Sequence, residues 1–237
     1  MAGHSHWAQI KRKKAVFDAK KSQLIGKLVN AITVAAREGN NPETNPKLRN
    51  AIERAKEFKV PLENIERAIK KAEDKNLNLE EAWYEAYFEN ISLLIKAITD
   101  NKNRTLNNVK SVLNKKGAKL ANPGSVRWSF EEKGVVEIYK KNENDVLEFM
   151  DIIEDIKEKN KEILMLITSV KNLNELKNKI SNKGIEIFDS YIEFFSINPI
   201  EIKDQEIKEE LKNLINELLD LEDVDEVFTN AKALTFN

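Results

Sequence analysis

The chain has 237 residues, of which 41% are hydrophobic and 33% are charged, so it can bury a sizeable core and its length favours two or three modest domains. It contains no cysteine, which excludes disulfide bonds, thiolate nucleophiles and cysteine-ligated zinc. No segment approaches the roughly 20 apolar residues that span a bilayer, and residues 1–7 lack the apolar run of a signal peptide. We therefore expect a soluble, cytoplasmic protein.

The formal net charge of −1 conceals an uneven distribution. Residues 1–78 hold 17 basic and 9 acidic side chains, whereas the remaining residues hold 22 basic and 31 acidic ones. This polarity indicates that one part of the chain faces phosphate and the other faces solvent, protein or a basic partner. A chance imbalance is the alternative explanation.

Helical periodicity dominates the basic part. Apolar residues recur at spacings of three and four from Ala15 to Arg37, which predicts one long amphipathic helix. Asn45-Pro46 offers an N-cap followed by proline at the first helical position, and Pro61 opens a further helix. Residues 1–78 are therefore predicted to form a small helical bundle.

The periodicity changes after about Leu79. Ile91 to Ile98 is a short apolar run typical of a strand, and Val126 to Phe130 alternates as a second strand. Between them Arg104 to Lys116 is helical, with Gly117 where a left-handed C-terminal cap belongs. The predicted order is β-α-β.

A second set of elements begins at Gly134. Its members are the strand Val135 to Tyr139, the helix Asp145 to Ile156, the strand Ile163 to Val170, the helix Leu173 to Ile180 before Gly184, and one or two strands within Ile185 to Ile197. A helix from Gln205 to Leu221 and a strand from Val224 to Asn230 follow.

The last helix and strand would complete a split β-α-β arrangement with the β-α-β elements that follow Leu79. We therefore predict an α+β protein of three domains, in which the third domain is inserted into the second. The predicted domains are a basic helical domain at 1–78, a discontinuous α+β domain at 79–132 plus 203–237, and an inserted α+β domain at 133–202. Three consecutive domains are the alternative layout.

Candidate nucleic-acid contacts concentrate in residues 1–38. The cations are the run Lys11, Arg12, Lys13 and Lys14, continued by Lys20, Lys21, Lys27 and Arg37, and only Asp18 and Glu38 oppose them. Such a stripe suits a sugar-phosphate backbone, which it would position without reading sequence. A solvated helix face is the alternative. Trp7 lies just upstream and either stacks on an exposed base or packs against the helices, and packing is favoured.

Catalytic and metal-binding constellations are not found. His4 and His6 are the only histidines, and nothing nearby supplies further ligands at useful spacing for a metal. The seven glycines are scattered and form no phosphate-binding loop. We therefore expect no metal, no cofactor and no enzymatic activity.

The polar segment Asp100 to Thr105 is a further candidate. Arg104 stands at the start of the predicted helix, where it meets an anion with the help of unpaired backbone amides, or where the segment simply caps the helix. The two interpretations have equal weight.

Several of these segments together resemble the YebC/PmpR family, whose relatives include the mitochondrial translational activator of cytochrome c oxidase subunit I. The segments that carry the resemblance, in chain order, are Met1 to Lys11, Ala35 to Gly39, Asn45 to Arg49, Asn64 to Lys71, Thr99 to Thr105, Gly124 to Val126 and Phe130 to Gly134. The resemblance covers the whole chain. It implies an N-terminal helical bundle and two α+β domains, one inserted in the other.

The resemblance also implies a nucleic-acid partner and no enzymatic activity. Members are generally described as probable DNA-binding transcriptional regulators, while others act in translation and associate with ribosomes or RNA. Members usually carry a glycine-rich turn before the first strand of the middle domain, where this chain has Ala86 to Ile91. If that turn contacts a nucleic acid or the ribosome in other members, the contact is lost or altered here.

Three functional hypotheses follow. The first is a DNA-binding transcriptional regulator, and the second is a ribosome-associated translation factor that binds RNA. The third is a protein scaffold whose basic and acidic parts serve self-association. The sequence does not separate DNA from RNA, and it leaves a homo-oligomer open.

Overall fold

The computed structural model describes residues 6–74 and 77–232, and the side chains of residues 6–20, 57 and 143 lie outside the described part. The fold is α+β, which confirms the predicted class. The α-helices are α1 (His6–Ala36), α2 (Pro46–Glu57), α3 (Leu62–Lys71), α4 (Lys102–Lys115), α5 (Leu173–Asn182) and α6 (Gln205–Leu219). The strands are β1 (Glu80–Phe88), β2 (Ile91–Thr99), β3 (Lys119–Leu120), β4 (Phe130–Tyr139), β5 (Asp155–Glu158), β6 (Ile163–Ser169), β7 (Ile187–Ser196) and β8 (Val224–Thr229).

Helices α1, α2 and α3 pack around one apolar core, as predicted for the basic part of the chain. Residues spaced three and four apart bring Leu28, Ile32, Leu48 and Ile65 into this core. The start of α2 is fixed as expected, because the Asn45 side chain accepts a hydrogen bond of 3.1 Å from the backbone N–H of Leu48.

Two four-stranded sheets are present among the described residues. One has the strand order β3-β1-β2-β8 and the other has the order β5-β6-β4-β7. In the chain, strands β1, β2 and β3 of the first sheet come before the segment that forms the second sheet, and β8 comes after it. The predicted domain boundaries at residues 78, 132 and 202 stay a prediction.

The chain divides into two compact units, and each contact described below lies within one of them. The first unit takes in residues 1–84, 95–120 and 209–227. The second takes in residues 85–94, 121–208 and 228–237.

The second sheet is antiparallel, and β4 lies between β6 and β7. One of its faces packs against α5 through an apolar core that includes Val136, Leu166 and Leu176. Glu137 of β4 is fully buried, and its carboxylate is paired with the Lys159 ammonium at 2.7 Å and accepts a hydrogen bond of 2.7 Å from the Tyr191 hydroxyl. These partners compensate the burial of the charge.

Two predicted elements were wrong. The predicted strand Val126 to Phe130 is instead a 3-10 turn, Arg127–Ser129, and β4 begins only at Phe130. The backbone N–H groups of Val126 and Arg127 donate to the Glu85 carboxylate, so they do not join a strand ladder there. The predicted helix Asp145 to Ile156 is a 3-10 segment, Lys140–Phe149, followed by β5, which pairs with β6.

Strand β1 and its hairpin with β2 were not predicted. The turn between these strands uses Glu89, whose φ of 53° lies in the left-handed region that favours glycine. Glu89 lies in the segment Ala86 to Ile91, where the family that the sequence resembles usually carries glycines. The chain therefore reverses direction here with a residue whose β-carbon strains the backbone.

Candidate nucleic-acid interface

The basic stripe predicted from the sequence lies on α1. The α1 backbone is helical from His6 to Ala36, but the side chains of Trp7, Lys11, Arg12, Lys13, Lys14 and Lys20 lie outside the described part. Lys21 is exposed. The phosphate contacts predicted for these residues stay a prediction.

Lys27, further along α1, contacts the protein itself. Its ammonium donates to the carbonyl oxygen of Leu219, the last residue of α6, and at 2.7 Å to that of Val224. The C-terminal end of a helix carries partial negative charge, so it is a favourable place for a cation. Burial lowers the pKa of Lys27, and the nearby Asp225 carboxylate partly opposes this effect.

Arg37 is likewise bonded within the first unit. Its guanidinium donates to the backbone carbonyl oxygens of Leu77 and Leu79, which ties the end of α1 to the segment that leads into β1. Lys27 and Arg37 therefore hold the basic helix in place.

Arg104 meets a carboxylate of its own chain. The Asn101 side chain caps α4 by accepting a hydrogen bond of 3.0 Å from the Arg104 backbone N–H. The Arg104 guanidinium donates to both oxygens of Asp223, at 2.9 and 3.0 Å, and pairs with Asp100 at 2.8 Å. The hydrogen bond to Asp223 raises the pKa of Arg104. The segment caps the helix, as one of the two interpretations predicted, and the nucleic-acid contact predicted for Arg104 stays a prediction.

Sequence reasoning missed a surface of the second unit, at the loop of residues 122–129, here called the tryptophan loop. Glu85 is 7% exposed, and its carboxylate accepts hydrogen bonds from three backbone N–H groups of this loop. The donors are those of Gly124 at 2.6 Å, Arg127 at 2.9 Å and Val126. A carboxylate that accepts several backbone N–H groups forms strong, charge-assisted bonds. The loop is therefore fixed to β1.

Two aromatic side chains meet at one backbone oxygen of this loop. The Tyr87 hydroxyl and the Trp128 indole N–H each donate a hydrogen bond of 2.8 Å to the Ser125 carbonyl oxygen. Trp128 is 67% exposed and Tyr87 is 37% exposed. The polar atoms of both rings are therefore turned toward the same backbone oxygen of the loop, and both side chains are partly open to solvent.

A cation lies next to the tryptophan in sequence. The Arg127 guanidinium lies 4.1 Å from the ring centroid of Phe194, and Phe194 packs against Phe228 at a centroid distance of 5.0 Å. Arg127 also pairs with Glu132 at 3.6 Å across an exposed surface. The sequence clue to this site is Trp128 three residues after the turn-forming Pro123-Gly124-Ser125, because loops on the surface seldom present tryptophan without a reason.

Metal binding finds no support in residues 6–74 and 77–232, where no cluster of three or more His, Asp or Glu side chains is placed to hold an ion. His4 lies outside the described residues, as does the side chain of His6. Across the same described ranges, no helix is long and apolar enough to cross a membrane.

Comparison with known proteins identifies the family. Residues 5–75 match the model of the TACO1/YebC protein N-terminal domain, and residues 79–231 match that of the TACO1/YebC second and third domain. The chain belongs to the TACO1/YebC family. This confirms the resemblance seen in the sequence motifs.

Relatives of this family member share sequence over nearly its whole length. A protein of Thermotoga maritima named "Probable transcriptional regulatory protein" is 42% identical over 97% of this chain and 93% of its own length. A protein of the same name from Aquifex aeolicus is 40% identical over 97% and 95%. The crystal structure of a conserved hypothetical protein from Aquifex aeolicus is 39% identical, covers 96% of this chain and 97% of its own, and superposes with a TM-score of 0.79.

Proposed function

We propose that this family member is a non-enzymatic, cytoplasmic regulator of gene expression that binds nucleic acid, acting on transcription through DNA. The names of its relatives support a role in transcriptional regulation. The observation that carries the proposal is the concentration of positive charge in residues 1–38, which include α1 and hold 8 basic and 2 acidic side chains.

Three of the candidate cations bond to groups of the chain itself. Lys27 and Arg37 bond to backbone carbonyls, and Arg104 bonds to Asp223. The proposal therefore assigns phosphate contact to Lys11, Arg12, Lys13 and Lys14, with Lys20 and Lys21. Each phosphate that these cations neutralise releases counterions, which gives affinity without sequence information.

Crosslinking in the native cells tests the proposal, with recovered DNA and RNA sequenced side by side. The test variant changes Lys11, Arg12, Lys13 and Lys14 to Glu. The matched control changes the exposed residues Lys110, Lys161, Lys171 and Lys203 to Glu, which alters the net charge by the same amount. Discrete promoter DNA, recovered with wild type and control but lost in the test variant, is the expected result.

Two other outcomes would replace the proposal. Recovery of ribosomal RNA at one defined site, lost in the same variant, would make the protein a translation factor. Nucleic-acid recovery that is unchanged by the charge reversal would favour the self-associating scaffold.

A further inference from the structure

Trp128 is the largest aromatic side chain that the described part of the chain leaves mostly in water. An exposed indole on a surface loop is uncommon unless the ring contacts a partner. The tryptophan loop is nonetheless fixed, because the buried Glu85 carboxylate accepts three of its backbone N–H groups. Gly124, with a φ of 86°, makes the sharp turn that brings these groups together.

We propose that the tryptophan loop is a stacking platform for unpaired bases of single-stranded nucleic acid. Tyr87 and Trp128 supply the ring faces, and Arg127, the residue before Trp128, supplies a cation. This inference rests on the proposed function and adds to it a second contact, in the other unit, for a particular form of nucleic acid.

The orientation of the polar atoms favours stacking. The Tyr87 hydroxyl and the Trp128 indole N–H are both bonded to the Ser125 carbonyl oxygen, so the rings are held by their polar edges and offer mainly apolar surface. Each nucleic-acid base has a π face, so a base stacks on such a ring whatever its identity. Bases in a duplex already stack on their neighbours, which restricts the platform to unpaired ones.

The positive charge of Arg127 favours a nucleotide over a purely apolar partner. The Arg127 guanidinium lies over the Phe194 ring, and its ion pair with Glu132 is long and exposed at both ends. Exposed pairs of this kind contribute little free energy, so a phosphate joined to the stacked base can compete for the guanidinium. Arginine beside aromatic rings is the combination that single-stranded nucleic-acid sites use.

Fluorescence anisotropy of the full chain with labelled 12-nucleotide probes tests the platform. The probes are single-stranded RNA, single-stranded DNA and the duplex of each, all at one salt concentration. The variants are Trp128→Ala, Trp128→Phe and, as a matched control, Phe188→Ala, which removes another exposed aromatic ring of the same unit. The charge-reversal variant of Lys11 to Lys14 is measured in parallel.

We expect Trp128→Ala to weaken single-strand binding by about tenfold while duplex binding stays unchanged, since stacking acts only on unpaired bases. Trp128→Phe keeps a ring and should lose much less, and Phe188→Ala should bind as wild type. A preference for RNA or for DNA would identify which single strand the platform takes.

Three results would overturn the platform. If Trp128→Ala binds single strands as wild type while the charge reversal abolishes binding, the platform fails and the proposed function stands. If wild type binds none of the probes, both fail. Unchanged probe affinity together with a protein partner that is retained only when Trp128 is present would assign the loop to protein recognition.

Discussion

The ammonium group of Lys27 donates a hydrogen bond of 2.7 Å to the carbonyl oxygen of Val224, a residue 197 positions away in the chain. A second bond reaches Leu219, so this one side chain occupies the carbonyl end of α6. The relationship separates the cations of α1 into two groups. Lys27 stabilises the first unit, whereas Lys11 to Lys14 carry the proposed binding.

Lys27→Met should therefore destabilise the protein without weakening nucleic-acid binding. The substitution leaves two partly buried carbonyl groups without their charged donor, which costs about 1–3 kcal/mol of the free energy of unfolding. Urea denaturation measures the loss, and Lys21→Met, at an exposed position of the same helix, should change stability little. Normal stability of Lys27→Met with reduced nucleic-acid affinity would contradict this assignment.

Replacing the strained turn residue should stabilise the second unit. Glu89 has a φ of 53°, which a side chain with a β-carbon adopts at a cost of about 1 kcal/mol. Glu89→Gly removes that cost, so the midpoint of urea denaturation should rise. Glu89→Ala keeps the β-carbon and serves as the control, and an equal gain in both variants would show that charge, not backbone strain, is responsible.

The stability of the protein should fall at alkaline pH through Tyr191. Burial raises its pKa above the ordinary value of about 10, and the hydrogen bond to Glu137 adds to the effect. The folded state therefore holds this proton more tightly than the unfolded state, so the stabilisation is complete below pH ~10 and is lost as the pH rises above it.

The comparison with Tyr191→Phe isolates this effect. Below pH ~10 the variant should be less stable than wild type, because Glu137 loses a buried donor. Above that pH the difference should shrink by about 1.4 kcal/mol per pH unit, since the variant has no proton to release. Parallel curves for the two proteins, measured by urea denaturation across the range, would contradict the assignment.

Glu85→Gln should release the tryptophan loop. The amide has one acceptor oxygen in place of two, so at least one of the three backbone donors loses its partner, at a cost of about 2 kcal/mol. In a background where Trp7 and Trp83 are phenylalanine, the emission of Trp128 reports the change. Glu186→Gln, at an exposed position of the same unit, should leave both stability and emission unchanged.

Sequence patterns correctly predicted the helix ends that are set by a residue and its near neighbours in the chain. Asn45-Pro46 begins α2, and Gly117 and Gly184 have positive φ after α4 and α5, as the cap residues indicated. These features depend on a residue and neighbours only a few positions away. They can therefore be read from a single sequence.

The tryptophan loop could not be predicted because the partners of Glu85 are distant in sequence. Glu85 lies on the face of β1 opposite to the buried Ala86 and Phe88, as a solvent-facing residue would, but its carboxylate is buried and its backbone partners begin 39 residues later in the chain. The same limit applies to the basic stripe. The composition identifies its cations, but Arg37 bonds to Leu79, 42 positions away, and Arg104 bonds to Asp223, 119 positions away. These internal bonds can be seen only in the structure.

The salt dependence of nucleic-acid affinity tests the central claim most directly. Wild type, the charge reversal at Lys11, Arg12, Lys13 and Lys14, and the matched reversal at Lys110, Lys161, Lys171 and Lys203 are titrated with one promoter fragment over a range of salt concentrations. The slope of log K against log salt is negative, and its magnitude grows with the number of phosphates contacted. If the four cations of α1 contact phosphate, this magnitude should decrease by roughly three to four units in the first variant and stay near the wild-type value in the second. Equal slopes and equal affinities in all three proteins would contradict the proposed role of the α1 cations.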